Sequence, residues 1–130
     1  MNTEQLHQAM PFAKTLGLRL LSASADLVEA EMEVRPDLCT AGGIAHGGAI
    51  IALSDSLGGL GGFLALPEGA KGTTTIESKT NLLGAAKAGE TLLARCAPVQ
   101  KGRRLQVWKT EVSVKGGGAV ALTIQTQMTL

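Results

Sequence analysis

Gly47-Gly48-Ala49-Ile50-Ile51-Ala52-Leu53-Ser54-Asp55-Ser56-Leu57-Gly58-Gly59-Leu60-Gly61-Gly62-Phe63-Leu64-Ala65-Leu66 is the stretch that decides the fold. It is apolar on nearly all sides and carries one charge, Asp55, near its middle. From Ala49 to Leu66 it is long enough to raise the question of a membrane span. An aspartate at a span's centre costs ~2.5–3.5 kcal/mol on insertion scales, and Gly58, Gly59, Gly61 and Gly62 weaken the helix further. The stretch therefore reads as a core helix over about residues 47–66, and such a helix must be surrounded by other structure.

The flanking sequence supplies strands to surround it. Upstream, Leu18, Leu20 and Ser22 alternate with Arg19, Leu21 and Ala23. Val28, Ala30, Met32 and Val34 then alternate with Glu29, Glu31, Glu33 and Arg35, which predicts a half-buried strand paired to the first through a turn near Asp26. Residues 3–16 read as a helical lead-in, with Thr3 as cap, Pro11 acceptable at a helix start and Gly17 as stop. Residues 36–45 read as loop. Downstream, 73–83, 91–100, 104–115 and 119–130 read as four strands, joined largely by short turns such as Lys101-Gly102 and Gly116-Gly117-Gly118. Two strands, one apolar helix and four strands, with no strand–helix alternation, predict an α+β fold whose sheet curls around the helix.

Composition narrows the function. The 130 residues carry 12 Lys+Arg against 11 Asp+Glu, which fits one domain over residues 1–130 with no concentrated basic surface. Phe12, Phe63 and Trp108 are the only aromatics, so stacking platforms for single-stranded nucleic acid are missing too, and no nucleic-acid partner is expected. Trp108 reads as core packing. Cys39 and Cys96 are far apart in sequence and read as two buried thiols rather than a bridge or a zinc site. The first ten residues lack a basic start and an apolar run, so a cytoplasmic protein without a membrane partner is expected.

Seventeen glycines are an excess, and eight of them fall between Gly42 and Gly62. A helix that begins at Gly47-Gly48, just after His46, offers unpaired backbone N–H groups at its positive end. Bare glycines there let a substrate carbonyl come close, as an oxyanion hole requires. Asp55 follows His46 by about two and a half turns, ~13 Å along a helix, so the two do not touch within one helix. Ile51, Ala52, Gly58 and Gly59 surround Asp55 on its own helix and leave room beside it for a ligand. The four interior glycines sacrifice ~4 kcal/mol of helix propensity. Either closely packed structure or a ligand must occupy the space they leave. A structural aspartate, and a histidine that merely caps the helix, are the plain alternatives. The glycine runs are not a phosphate loop, and His7, His46 and the acids lack metal-ligand spacing, so no metal is expected.

These residues resemble the hotdog-fold acyl-CoA thioesterases, in the branch of the phenylacetate-pathway and Arthrobacter-type 4-hydroxybenzoyl-CoA thioesterases. The likeness runs from Pro11-Phe12 and Leu16-Gly17 through Gly43-x-x-His46-Gly47-Gly48 and Leu53-x-Asp55. It continues to Asn81-Leu82-Leu83, Gly89-Glu90 and Gly102-Arg103-Arg104. It implies an antiparallel sheet of five to six strands wrapped around one long central helix. It also implies a homodimer or homotetramer with active sites at the dimer interface, where Asp55 of one subunit faces the Gly47 amide and strand residues of the other. Asp55 would then act on the thioester carbonyl of an aryl- or medium-chain acyl-CoA as nucleophile or general base, with the Gly47 N–H as oxyanion donor and His46 orienting the thioester. Gly48, Gly59, Thr74 and Thr75 would bind substrate or assist water. No cofactor is implied, coenzyme A being part of the substrate, and its phosphates would suit Lys101, Arg103 and Arg104 at a surface turn.

Two positions depart from the pattern. Thr40 stands six residues before His46 where the family usually carries Asn or Gln, so its shorter side chain would have to serve near the carbonyl. Asp55 and Gly59 stand where the 4-hydroxybenzoyl type has Glu and then Thr or Ser, which favours the Asp-bearing branch. The alternatives are a non-catalytic acyl-CoA-binding hotdog module and a thioester dehydratase or hydratase. The latter needs an Asp-x-Asn-x-x-His run that this chain lacks.

Overall fold

The computed structural model describes residues 1–130. In chain order the elements are α1 (Thr3–Ala9), α2 (Pro11–Leu16), β1 (Arg19–Ala23), β2 (Val28–Glu33), a 3-10 turn (Pro36–Leu38), β3 (Cys39–Thr40), β4 (Ile44–Ala45), α3 (Gly47–Leu64), β5 (Thr73–Leu82), β6 (Thr91–Lys101), β7 (Leu105–Val114) and β8 (Ala119–Thr129). Six strands form one antiparallel sheet in the order β1-β2-β6-β7-β8-β5, and α3 packs against β2, β5, β6, β7 and β8. The expected α+β architecture is present, with its sheet wrapped around the apolar helix. More than half of α3 is buried inside the fold.

The lead-in differs from the sequence reading in one local respect. It is two short helices, because Pro11 pushes Met10 out of helical geometry and starts α2 afresh. The cap of α1 is Asn2, in a reciprocal capping box with Gln5, and not Thr3. The Thr3 hydroxyl instead accepts the Leu20 N–H at 3.0 Å and ties α1 to β1. Gly17 ends α2 in the left-handed region at φ 74°, as a stop residue should. The segment read as loop, 36–45, contains the small β3–β4 ribbon.

The concave face of the sheet has two chemistries. Across β2 and β6, Val28 sits opposite Cys96, Ala30 opposite Ala94 and Met32 opposite Leu92, all buried. Across β7 and β8 the buried residues include Gln106, Thr110, Thr123, Gln125 and Gln127, while Ile124 and Met128 face outward on the convex side. Strand β8 thus turns its polar face inward, the reverse of an ordinary half-buried strand. Trp108 is fully buried among these polar groups as core packing, and its indole N–H donates to Gln106 Oε1 at 2.8 Å. On the convex face Glu31 is only 4 % exposed, held by Arg19 from β1 and by Lys115 at 2.7 Å.

The helix glycines fit this polar half. A Cβ at Gly58 would lie 2.1 Å from Gln125 Cδ, one at Gly61 2.7 Å from the Trp108 ring, and one at Gly62 2.9 Å from Gln127 Cγ. Their missing side chains let α3 settle onto long inward-pointing residues of β7 and β8. Gly59 alone among the four faces open space.

Candidate active site

Helix α3 is capped by His46, whose backbone is extended and whose Nδ1 accepts the Gly48 N–H at 2.7 Å. With Nδ1 accepting, Nε2 is the ring nitrogen left to face outward on an exposed side chain. The same bond engages the Gly48 amide. The Gly47 amide, first in the helix, has no intrahelical acceptor and remains available as a donor. A Cβ at 47 would fall 2.8 Å from Leu82 Cδ1 of β5, the end of an exposed side chain that would have to move aside.

Asp55 opens into a groove of about 880 Å3 between α3, the N-terminal helices and β5. Gly48, Ile51, Asp55, Gly59 and Phe63 line it from α3, and Leu6, Met10 and Phe12 close it from the other side. Thr74 and Thr75 line it from β5. Asp55 is the only lining residue with a titratable side chain. The Thr75 hydroxyl lies 2.9 Å from Asp55 Oδ1, a contact made within one chain.

Sequence reasoning missed two residues that complete this arrangement. Gln125 Nε2 reaches Asp55 Oδ1 at 3.2 Å and also donates to Gln127 Oε1 at 3.0 Å. Gln127 Nε2 continues the chain to Thr73 Oγ1 at 3.3 Å, and the Thr75 hydroxyl also lies 2.5 Å from Gln127 Oε1. Both donors to Asp55 reach Oδ1, and Oδ2 accepts no hydrogen bond. The available signal was the pairing of two patterns: glycines at 58 and 62, one helical turn apart, and glutamines at 125 and 127, one strand period apart. Neither pattern shows in sequence that the two elements meet.

The remaining expected residues lie outside the groove of the single chain. His46 and Gly47 sit at the start of α3 beyond its rim, and Thr40 is exposed on β3, where its carbonyl accepts the Gly43 N–H at 3.3 Å. Lys101 is bonded to Asp26 at 2.6 Å across the β1–β2 turn. Arg103 and Arg104 are exposed, and the Arg104 carbonyl accepts the Thr129 N–H at 2.8 Å, two strands from the Thr73 end of β5. Both cysteines are free thiols, Cys39 half-buried and Cys96 fully buried. Burial pushes the Cys96 thiol up to about 11, which keeps it protonated and unreactive as a nucleophile.

The model of the thioesterase superfamily matches residues 42–121, which include the start of α3, Asp55 and most of the sheet. The chain belongs to the thioesterase superfamily. Its reaction class is accordingly thioester hydrolysis. The thioesterase is 32% identical over 97 residues to the 1,4-dihydroxy-2-naphthoyl-CoA hydrolase of Escherichia coli, covering 75% of this chain and 70% of that one. Its fold matches the crystal structure of a thioesterase from Haemophilus influenzae with a TM-score of 0.89 at 26% identity, over 100% of this chain and 91% of the other. It also matches a Streptococcus mutans protein crystallised with acetyl-CoA, with a TM-score of 0.79 at 27% identity over 87% and 88% of the two chains.

Proposed function

We propose that this thioesterase hydrolyses aryl- or medium-chain acyl-CoA to the free acid and coenzyme A. The observation that carries this reading is Asp55, a lone carboxylate in an otherwise uncharged groove, with one oxygen held by two donors and the other free. A coenzyme A thioester is the substrate class named for the Escherichia coli relative, and acetyl-CoA is the molecule bound to the Streptococcus mutans protein. The wall of Leu6, Met10, Phe12, Ile51 and Phe63 suits an acyl group without charge.

Asp55 Oδ2 acts on the thioester carbonyl in one of two ways. As nucleophile it forms a bond to the acyl carbon while the C–S bond breaks and the thiolate takes a proton from solvent; water then cleaves the mixed anhydride. As general base it accepts a proton from water as the water oxygen bonds to that carbon and the thiolate leaves. Carbonyl charge develops in both routes, and a backbone N–H at a helix start stabilises it. Gly47 is that donor in our reading, with His46 orienting the thioester, and the two come from a second copy of the chain. Strand β5 supports this assembly, because it is an edge strand of ten residues whose outer side is unpaired. Exposed Ile51 and Phe63 on α3, and Leu82 and Leu83 at the end of β5, would be covered by the partner in a homodimer or homotetramer. Arg103 and Arg104, free of ion pairs, supply charge for the coenzyme A phosphates.

Incubation with a panel of acyl-CoA esters, read by release of free thiol, tests the reading. Asp55→Asn is expected to lower kcat by roughly 10²–10⁴-fold. Hydrolysis undiminished in that variant would refute the role given to Asp55, and binding without turnover across the panel would favour an acyl-CoA-binding module. Label from heavy-oxygen water entering the Asp55 carboxylate during turnover identifies the nucleophilic route.

A further inference from the structure

Gln125 is 1 % exposed and does not line the groove, yet its amide occupies the inner side of Asp55. Both amide protons are committed, one to Asp55 Oδ1 and one to Gln127 Oε1. Its own carbonyl, Oε1, is buried against Gly58 and has no partner. Turning the amide over would give Oε1 a worse place still, between two acceptor oxygens. A buried unpaired carbonyl opposes folding, and an apolar side chain of the same length would fill the space without that penalty. Gly58 gives up helix propensity to admit this amide. Two features that weaken the fold thus converge on a single bond to Asp55.

We infer that Gln125 is a positioning residue for the reaction: with Thr75 it holds Asp55 Oδ1 against the sheet and turns Oδ2 toward the substrate. The Thr75 hydroxyl has one proton and two acceptors within reach, Asp55 Oδ1 and Gln127 Oε1, so alone it does not fix the carboxylate. The Gln125 amide, braced through Gln127 to Thr73 Oγ1, has no such freedom. No other titratable side chain from α1, α2, α3, β5 or β8 lines the groove around Asp55, so this neutral network is what orients the carboxylate. The inference rests on the reading of Asp55 as the reacting group.

The test pairs steady-state kinetics with thermal unfolding for Gln125→Met, Gly58→Ala and Asp55→Asn in the full chain. Gln125→Met keeps length and removes both the donors and the orphaned carbonyl. Expected are a kcat lower by roughly tenfold to a hundredfold, an unchanged KM, and an unfolding midpoint equal to or above that of the parent. Gly58→Ala leaves Gln125 in the sequence but drives its amide aside, since a Cβ there would lie 2.1–2.4 Å from the three atoms of that amide. The same kcat loss at unchanged KM is expected. A lowered midpoint for Gln125→Met with parental kcat would make Gln125 a structural residue and overturn the inference, as would parental kcat in both variants. Asp55→Asn separates the two readings. If it is inactive while Gln125→Met and Gly58→Ala turn over normally, only the positioning role falls; if it is fully active, the reading of Asp55 falls first.

Discussion

One helix lies on one sheet, yet the two halves of their interface are built on opposite principles. Under β2 and β6 the contact is aliphatic, with Val28, Ala30, Met32, Leu92 and Ala94 buried against neighbours of their own kind. Such a surface stabilises through area removed from water and is indifferent to the direction of any one group. Under β7, β8 and β5 amides and hydroxyls from Gln106 to Thr75 join the contact around the Trp108 ring, and the helix meets Trp108, Gln125 and Gln127 with glycine. Hydrogen bonds are directional, so this half can aim a carboxylate. The polar half leaves Gln125 Oε1 without a partner, and the aliphatic half supplies the stability that offsets it.

Substitutions that exchange the character of the two halves sharpen this contrast. Truncating the aliphatic half has the largest effect on stability. Met32→Ala should lower unfolding free energy by about 2–5 kcal/mol in denaturant titration, while kcat of the folded fraction stays parental. Gly61→Ala is next, because its methyl meets the wedged ring of Trp108 rather than a mobile chain end. Overpacking of about 1–3 kcal/mol should exceed the ~1 kcal/mol gained in helix propensity, so its unfolding midpoint is expected to fall. Gly59→Ala is the smallest and has the opposite sign. Its methyl enters open groove, so stability should rise by up to ~1 kcal/mol while KM for bulky acyl groups increases. A Gly59→Ala protein less stable than its parent would show that the groove wall is packed after all. If Met32→Ala slowed turnover of folded protein as Gln125→Met is expected to, the division between the two halves would not hold.

The sequence by itself determined the fold class, because its evidence is periodic and local. A long apolar helix must be enclosed, and period-two runs on both sides can only enclose it as strands. It also determined where to look, since His46-Gly47-Gly48 and Asp55 mark a helix start and a lone charge in an apolar run. The break at Met10 and the Asn2 cap were within its reach, as Pro11 and the Asn2-to-Gln5 spacing show. It did not reveal what the glycines at 58, 61 and 62 are for, or that the glutamine face of β8 turns inward. Alternation reports that two faces differ and not which one is buried; that depends on what the opposite element presents, and here α3 presents backbone. Only the tertiary structure decided that Gln125, seventy residues from Asp55 in the chain, reaches its Oδ1. A hydrogen bond between a helix and the last strand of a sheet is fixed by strand order and register, neither of which leaves a local mark in the residues that make it.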